Sequence, residues 1–244
     1  MPDRTRSTST RGAHDAASRR LRAVAGRRRP PALPRPRATA DGREALLRAG
    51  WTIARRTGLR GLTVRAVARA AGANLGTFVY HFGSREAFVS ELIERWYQPL
   101  LAGLTLAVAA RGRPLVRLRH AVLGLVDFAL ESGSFVGHLL MDAAGGERAA
   151  RAFLGSLAGR HPVLLLRLIR EAQAHGEIVA GDPTHMMMFM MSSLGLPVLL
   201  VRGWAGRRYV DDELMTAMTR HATDRASIEQ RLEWILKGLR PKVS

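Results

Sequence analysis

The feature that most constrains this chain is a series of glycines, each followed closely by a side chain suited to capping a helix. Gly58, Gly72 and Gly83 are followed by Thr63, Asn74 and Ser84. Glycine ends a helix by turning into the left-handed region, and Ser, Thr or Asn accepts a hydrogen bond from the free N–H groups of the next one. Before Gly58, Leu46, Gly50, Ile53 and Thr57 step by three or four, with Leu47, Trp51 and Ala54 beside them. This predicts a first helix capped by Asp41 and stopped at Gly58. Thr63 opens a second helix, with Val64, Val67, Ala68 and Ala71 as its apolar stripe. Asn74 opens a third, running to about His81, and Ser84 a fourth that continues into the region of Trp96. Helices this short do not stand alone in water, so the first three must pack together as one small unit.

Beyond them the pattern stays helical, over about 113–131, 134–144, 147–159, 162–176, 183–203, 209–222 and 225–239, with Pro114, Pro162 and Pro183 where a first-turn proline is tolerated. Asp182-Pro183 is a strong start signal. No alternating run long enough for a strand and no internal repeat is present, so the fold class is all-α. The run from Met186 to Val201 is apolar on every side. Such a helix is buried on both faces or crosses a bilayer. Its shortness against the ~20 residues of a span, its central serines and Pro197 favour burial.

The net charge is +18, so a polyanion is the first partner to consider. Residues 1–40 hold eleven arginines against Asp3 and Asp15, a net of +9, together with Pro30, Pro31, Pro34 and Pro36. They read as a disordered basic arm, with an organellar transit peptide as the other reading. Arginine suits phosphate and guanine, although a GC-rich genome gives the same bias. Cysteine is absent, which excludes disulfides, thiolate nucleophiles and cysteine-held zinc, and fits a cytoplasmic protein. His120, His161, His175 and His221 lack metal-ligand spacing, and no Walker, G-x-S-x-G or H-E-x-x-H motif occurs. Neither an enzyme, nor a cofactor, nor a bound metal is expected.

Two short helices joined by a tight turn are what a helix-turn-helix needs to place its second helix in the major groove. In Asn74-Leu75-Gly76-Thr77-Phe78-Val79-Tyr80-His81, Leu75, Phe78 and Phe82 are spaced to pack inward, with Leu75 alternatively meeting a thymine methyl. Asn74, Gly76, Thr77 and Tyr80 are left to face DNA. The letters from Thr63 to Phe88 resemble the signature of the tetracycline-repressor (TetR) family, roughly T-V-x-x-I-A-x-x-A-G-V-S-x-G-T-x-Y-x-H-F-x-S-K-E-x-L, and the resemblance covers about residues 41–95. It implies a three-helix DNA-binding domain at 41–88 after the arm at 1–40, and a helical ligand-binding and dimerisation domain at 89–244.

The resemblance also implies roles. Thr63 caps the second helix beside a phosphate. Thr77, Tyr80 and His81 supply groove and backbone contacts, and Arg85, standing for the usual Lys, holds a phosphate. Arg65, Asn74, Leu75 and Gly76 complete the DNA-facing set. Val79 departs from the family's frequent aromatic, Asn74 from its Ser or Thr, and Ala73 from its Val. The implied protein is a dimeric repressor on a palindromic operator, released by an apolar or amphipathic effector. Leu194, Val198, Val201, Ile228, Leu232 and Ile235 are expected on the dimer face. Phe128, Leu139, Leu166, Met187 and Met191 are expected on the pocket wall, where Asp127, His138 and Asp142 either bind the ligand or merely face solvent and cap helices. A basic architectural nucleic-acid-binding protein without an effector explains the arm but not the match.

Overall fold

The computed structural model describes residues 40–204 and 210–241, so the arm expected over 1–40 lies outside the described residues apart from Ala40. Among the described residues are ten α-helices and no strand. They are α1 (Ala40–Thr57), α2 (Val64–Ala70), α3 (Leu75–Phe82), α4 (Arg85–Ala109), α5 (Pro114–Ala144), α6 (Arg148–Ser156), α7 (His161–Ala174), α8 (Pro183–Trp204), α9 (Asp212–Thr223) and α10 (Arg225–Gly238).

The local signals act as the sequence predicts. Thr63 accepts from the Ala66 N–H at 3.1 Å, Asn74 from Thr77 at 2.8 Å and Ser84 from Ala87 at 3.1 Å. Gly72 and Gly83 have φ of 64° and 68° with open space where a Cβ would stand, so conformation alone demands glycine there. Gly58 is constrained twice: its φ is 72°, and a Cβ would lie 2.6 Å from a carboxylate oxygen of Asp142.

Several boundaries differ. α1 begins at Ala40, which puts Asp41 inside the first turn, where its charge still favours the helix N-terminus. α5 is continuous where two helices over 113–131 and 134–144 are predicted. Gly133 does not end it: a Cβ there would come within 3.0–3.1 Å of the Arg202 side chain, so the glycine lets α8 approach. The α-helix predicted over 147–159 stops at Ser156 and finishes as a 3-10 turn, Leu157–Gly159.

α5 is the central helix and touches α1, α4, α6, α7 and α8. One continuous core runs from Leu46 of α1 to Leu236 of α10 and crosses the boundary expected at residue 88. Behind α3, the rings of Phe78, Phe82 and Phe88 meet with centroids 4.8–5.5 Å apart. Burying each stabilises the unit by about 1.5–3 kcal/mol.

By length and composition, Pro114–Ala144, Arg148–Ala174 and Pro183–Gly203 could each cross a bilayer, so α8 as a whole does reach a spanning length. Met186, Met190, Leu194, Val198 and Val201 form its stripe into the core. The expected dimer face therefore needs correction. Leu194, Val198, Val201, Ile228, Leu232 and Ile235 are all buried within this chain, because the most regular apolar stripe of each helix is taken by its own core. The apolar residues left outside are Met188, Phe189 and Leu196 on α8 and Trp234 on α10.

Candidate DNA-reading face and ligand cavity

α3 divides by face. Phe78 and Phe82 are buried, while Leu75, Val79 and Tyr80 are exposed, Tyr80 at 74%. Leu75 thus leaves the inward set and keeps only the outward alternative; it opens the helix ahead of the phenylalanine cluster. The Asn74 carboxamide oxygen is used as the cap and also accepts from the Thr77 hydroxyl at 3.1 Å, which fixes both side chains at the start of the helix. Arg65 and Thr63 are exposed on α2. Arg69, one turn beyond Arg65, is exposed on the same helix; its i, i+4 spacing from Arg65 is the signal that sequence reasoning passed over.

Two expected contacts do not belong to this face. The His81 Nε2 is closed off from solvent without a hydrogen-bond partner, and it lies 3.5 Å from where a Cβ on Gly42 would stand. The ring packs against the start of α1 instead of reaching out. Arg85 is turned inward. Its guanidinium donates to the carbonyls of Leu62 and Leu59, both at 2.7 Å, and to both carboxylate oxygens of Glu147 at 3.2 and 3.0 Å. Four of its five N–H donors are spent inside, so in this structure it braces the fold and is not presented to a phosphate. Hydrogen bonds from Arg85 hold the Glu147 carboxyl below its ordinary value, against the opposing effect of burial.

Arg85 is half of a joint between the α1–α2 connection and the far end of α5. The other half is Asp142, a buried carboxylate that accepts the Leu59 N–H at 2.6 Å, with Arg60 reaching back to the Gly145 carbonyl. Asp142 is therefore not a pocket group. Neither is Asp127, which pairs with Arg225 of α10 at 2.6 Å, nor His138, which sits beside Gly58. Leu166 and Met187 are half-buried off the cavity.

Phe128, Leu139 and Met191 do line a cavity of about 440 Å³, within the range of small-molecule sites. Five helices line it. α4 gives Trp96, Tyr97 and Leu100, α5 gives Phe128, Ala129 and Leu139, α6 gives Phe153, α7 gives His161, and α8 gives Met191, Ser192 and Leu196. Sequence reasoning missed Trp96, Tyr97 and His161 as wall residues. The adjacent aromatic pair and the histidine before Pro162 were visible, but their convergence depends on how α4 and α7 pack. The Trp96 indole N–H donates to the Ser132 hydroxyl at 2.9 Å. Its ring contacts Phe128 and Phe135 at 4.8 and 4.7 Å and stacks on Trp51 of α1 at 6.2 Å.

Residues 46–92 match the sequence model of the bacterial regulatory proteins of the tetR family. No curated protein matches the chain. Among solved structures, a fatty acid metabolism regulator from Clostridium perfringens is 18% identical, with a TM-score of 0.60 over 81% of this chain and 100% of its own. A ketosteroid transcriptional regulator of Mycobacterium tuberculosis is also 18% identical, with a TM-score of 0.59 over 84% of this chain and 97% of its own. The regulatory protein TetR from Rhodobacter sphaeroides, 19% identical, gives 0.56 over 81% and 98%. At such identities the likeness is one of fold. The matched segment carries the helix-turn-helix described above, and the fold around it is the one these regulators share. Residues 46–92 thus carry the DNA-binding segment of the tetR family of bacterial regulatory proteins, on a fold shared with solved transcriptional regulators of that name.

Proposed function

We propose that the chain is a cytoplasmic, ligand-responsive repressor that holds a palindromic operator as a homodimer and releases it when an apolar or amphipathic effector fills the cavity. The observation that carries this reading is the double role of Trp96, which walls the cavity and stacks on Trp51 of the first DNA-side helix. A ligand against Trp96 presses on the element that must move. The Asp142–Leu59 and Arg85–Glu147 contacts tie the same two regions together at a second point. Release requires the effector to favour the DNA-incompetent arrangement, since equal affinity for both shifts nothing.

On DNA, Tyr80, Thr77, Leu75 and the Asn74 amide read base edges, and Gly76 allows close approach. Arg65, Arg69 and the backbone beside Thr63 meet phosphates. One such head reads only a few base pairs, and a two-fold copy doubles the site. The second copy docks on Phe189 and Trp234, which frame one shallow hollow with Ser193, Arg231 and Ile235, and on Leu196. Selecting operators from random DNA with the purified protein, then titrating compounds that bind the cavity, tests the reading. It predicts an inverted repeat released by such compounds. Binding without sequence preference, unaffected by any cavity ligand, contradicts it.

A further inference from the structure

The cavity wall is nearly all hydrocarbon, and its few polar groups are almost all committed. The Trp96 N–H is given to Ser132, and the Ser192 hydroxyl is bonded to the Phe189 carbonyl at 3.1 Å. Tyr97 is 2% exposed, and its hydroxyl oxygen accepts the backbone N–H of His161 at 3.2 Å. The same hydroxyl lies 2.9 Å from Nδ1 of His161. If Nδ1 carried the ring proton, the tyrosine proton would be left without an acceptor in a buried place, at about 1–3 kcal/mol. The hydroxyl therefore donates to Nδ1, and the ring proton sits on Nε2. Among the described residues Nε2 has no hydrogen-bond partner, and His161 is one of the residues that line the cavity. Of the donors on the lining side chains, Nε2–H is the uncommitted one.

The lining offers no charged partner either. No Lys, Arg, Asp or Glu lines the cavity. Burial holds the His161 imidazole down to about 4, so it is a neutral donor near pH 7. Arg160, which lies over the Tyr97 ring at 5.3 Å, is already neutralised by both oxygens of Glu94 at 2.8 and 2.9 Å. An anion placed in this space would meet no counter-charge.

We infer that the effector is an uncharged, largely apolar molecule bearing one hydrogen-bond acceptor, such as a ketone oxygen, seated on the Nε2–H of His161. This rests on the cavity being the effector site. Three probes of one shape separate the possibilities: acetylnaphthalene, ethylnaphthalene and naphthoate, each titrated into the full chain by calorimetry. The ketone is expected to bind about three- to tenfold more tightly than the hydrocarbon, which is one net hydrogen bond, and naphthoate at least about tenfold more weakly than the ketone. His161→Phe should abolish the preference for the ketone. Tyr97→Phe, which frees Nδ1 and leaves the ring in place, should shrink it, and it serves if the first variant fails to fold. Equal binding of ketone and hydrocarbon, tightest binding of the anion, or a ketone preference that survives both variants overturns the inference but leaves the cavity a ligand site. Failure of all three probes to bind overturns the cavity as the effector site and the inference with it.

Discussion

The DNA-reading face and the cavity hold their working groups by opposite means. On α3 the groups that act point outward, and three phenylalanines behind them do the holding. In the cavity the groups that act point inward, and five separate helices must meet to define them. A surface site built on one short helix can lose an acting side chain without loss of fold. In a site lined by five helices the wall residues also carry helix-to-helix packing, so a change there touches both.

That contrast yields graded predictions. The largest effect should come from Phe78→Ala, which removes a fully buried ring and should cost about 3–5 kcal/mol in denaturant unfolding. Next is Arg85→Ala. It strands the Glu147 carboxylate and two backbone carbonyls, at about 2–4 kcal/mol, while the salt dependence of DNA binding stays unchanged. It should also alter the acid limb of stability. The Glu147 carboxyl is held below the ordinary glutamate value of about 4.3, so its contribution is whole above that pH and is lost as pH falls through the lower folded value. In Arg85→Ala the unfolding midpoint should fall less steeply over that acid window.

Tyr80→Ala sharpens the contrast from the other side. With Tyr80 74% exposed, stability should change by less than about 0.5 kcal/mol, yet operator binding should weaken by about 1–3 kcal/mol per half-site. The smallest effect should follow from replacing Arg27, Arg28 and Arg29 with Ala in the full chain. Affinity for operator and for random DNA should drop by similar factors, with the log–log salt slope flattened by about 0.9 for every phosphate that is no longer neutralised. An unchanged slope would show that this part of the arm takes no part in DNA binding.

The same contrast explains what the sequence made legible. Caps and glycine stops act within five residues, so Thr63, Asn74, Ser84, Gly72 and Gly83 could be read correctly one at a time. The cavity could be named only in part, because Phe128 and Leu139 declare an apolar wall, whereas Tyr97 and His161 stand 64 residues apart and meet through tertiary packing. Arg85 misled for a related reason. Its place in the motif suggested a phosphate, but its partner Glu147 lies 62 residues away. The gap between the spans 113–131 and 134–144 reads by local pattern as a break, and the stripe of Leu194, Val198 and Val201 as a partner face. Helix-to-helix packing within the chain decided both differently.

The account's central claim is that occupancy of the cavity governs the DNA-reading face. Its most direct test is the anisotropy of a labelled operator, measured with and without a saturating neutral ligand whose binding quenches tryptophan emission in the wild type but not in Trp96→Phe. The account predicts that occupancy weakens operator binding at least about tenfold, and that operator weakens the ligand by the same factor. A ligand that fills the cavity and leaves operator affinity unchanged would contradict it.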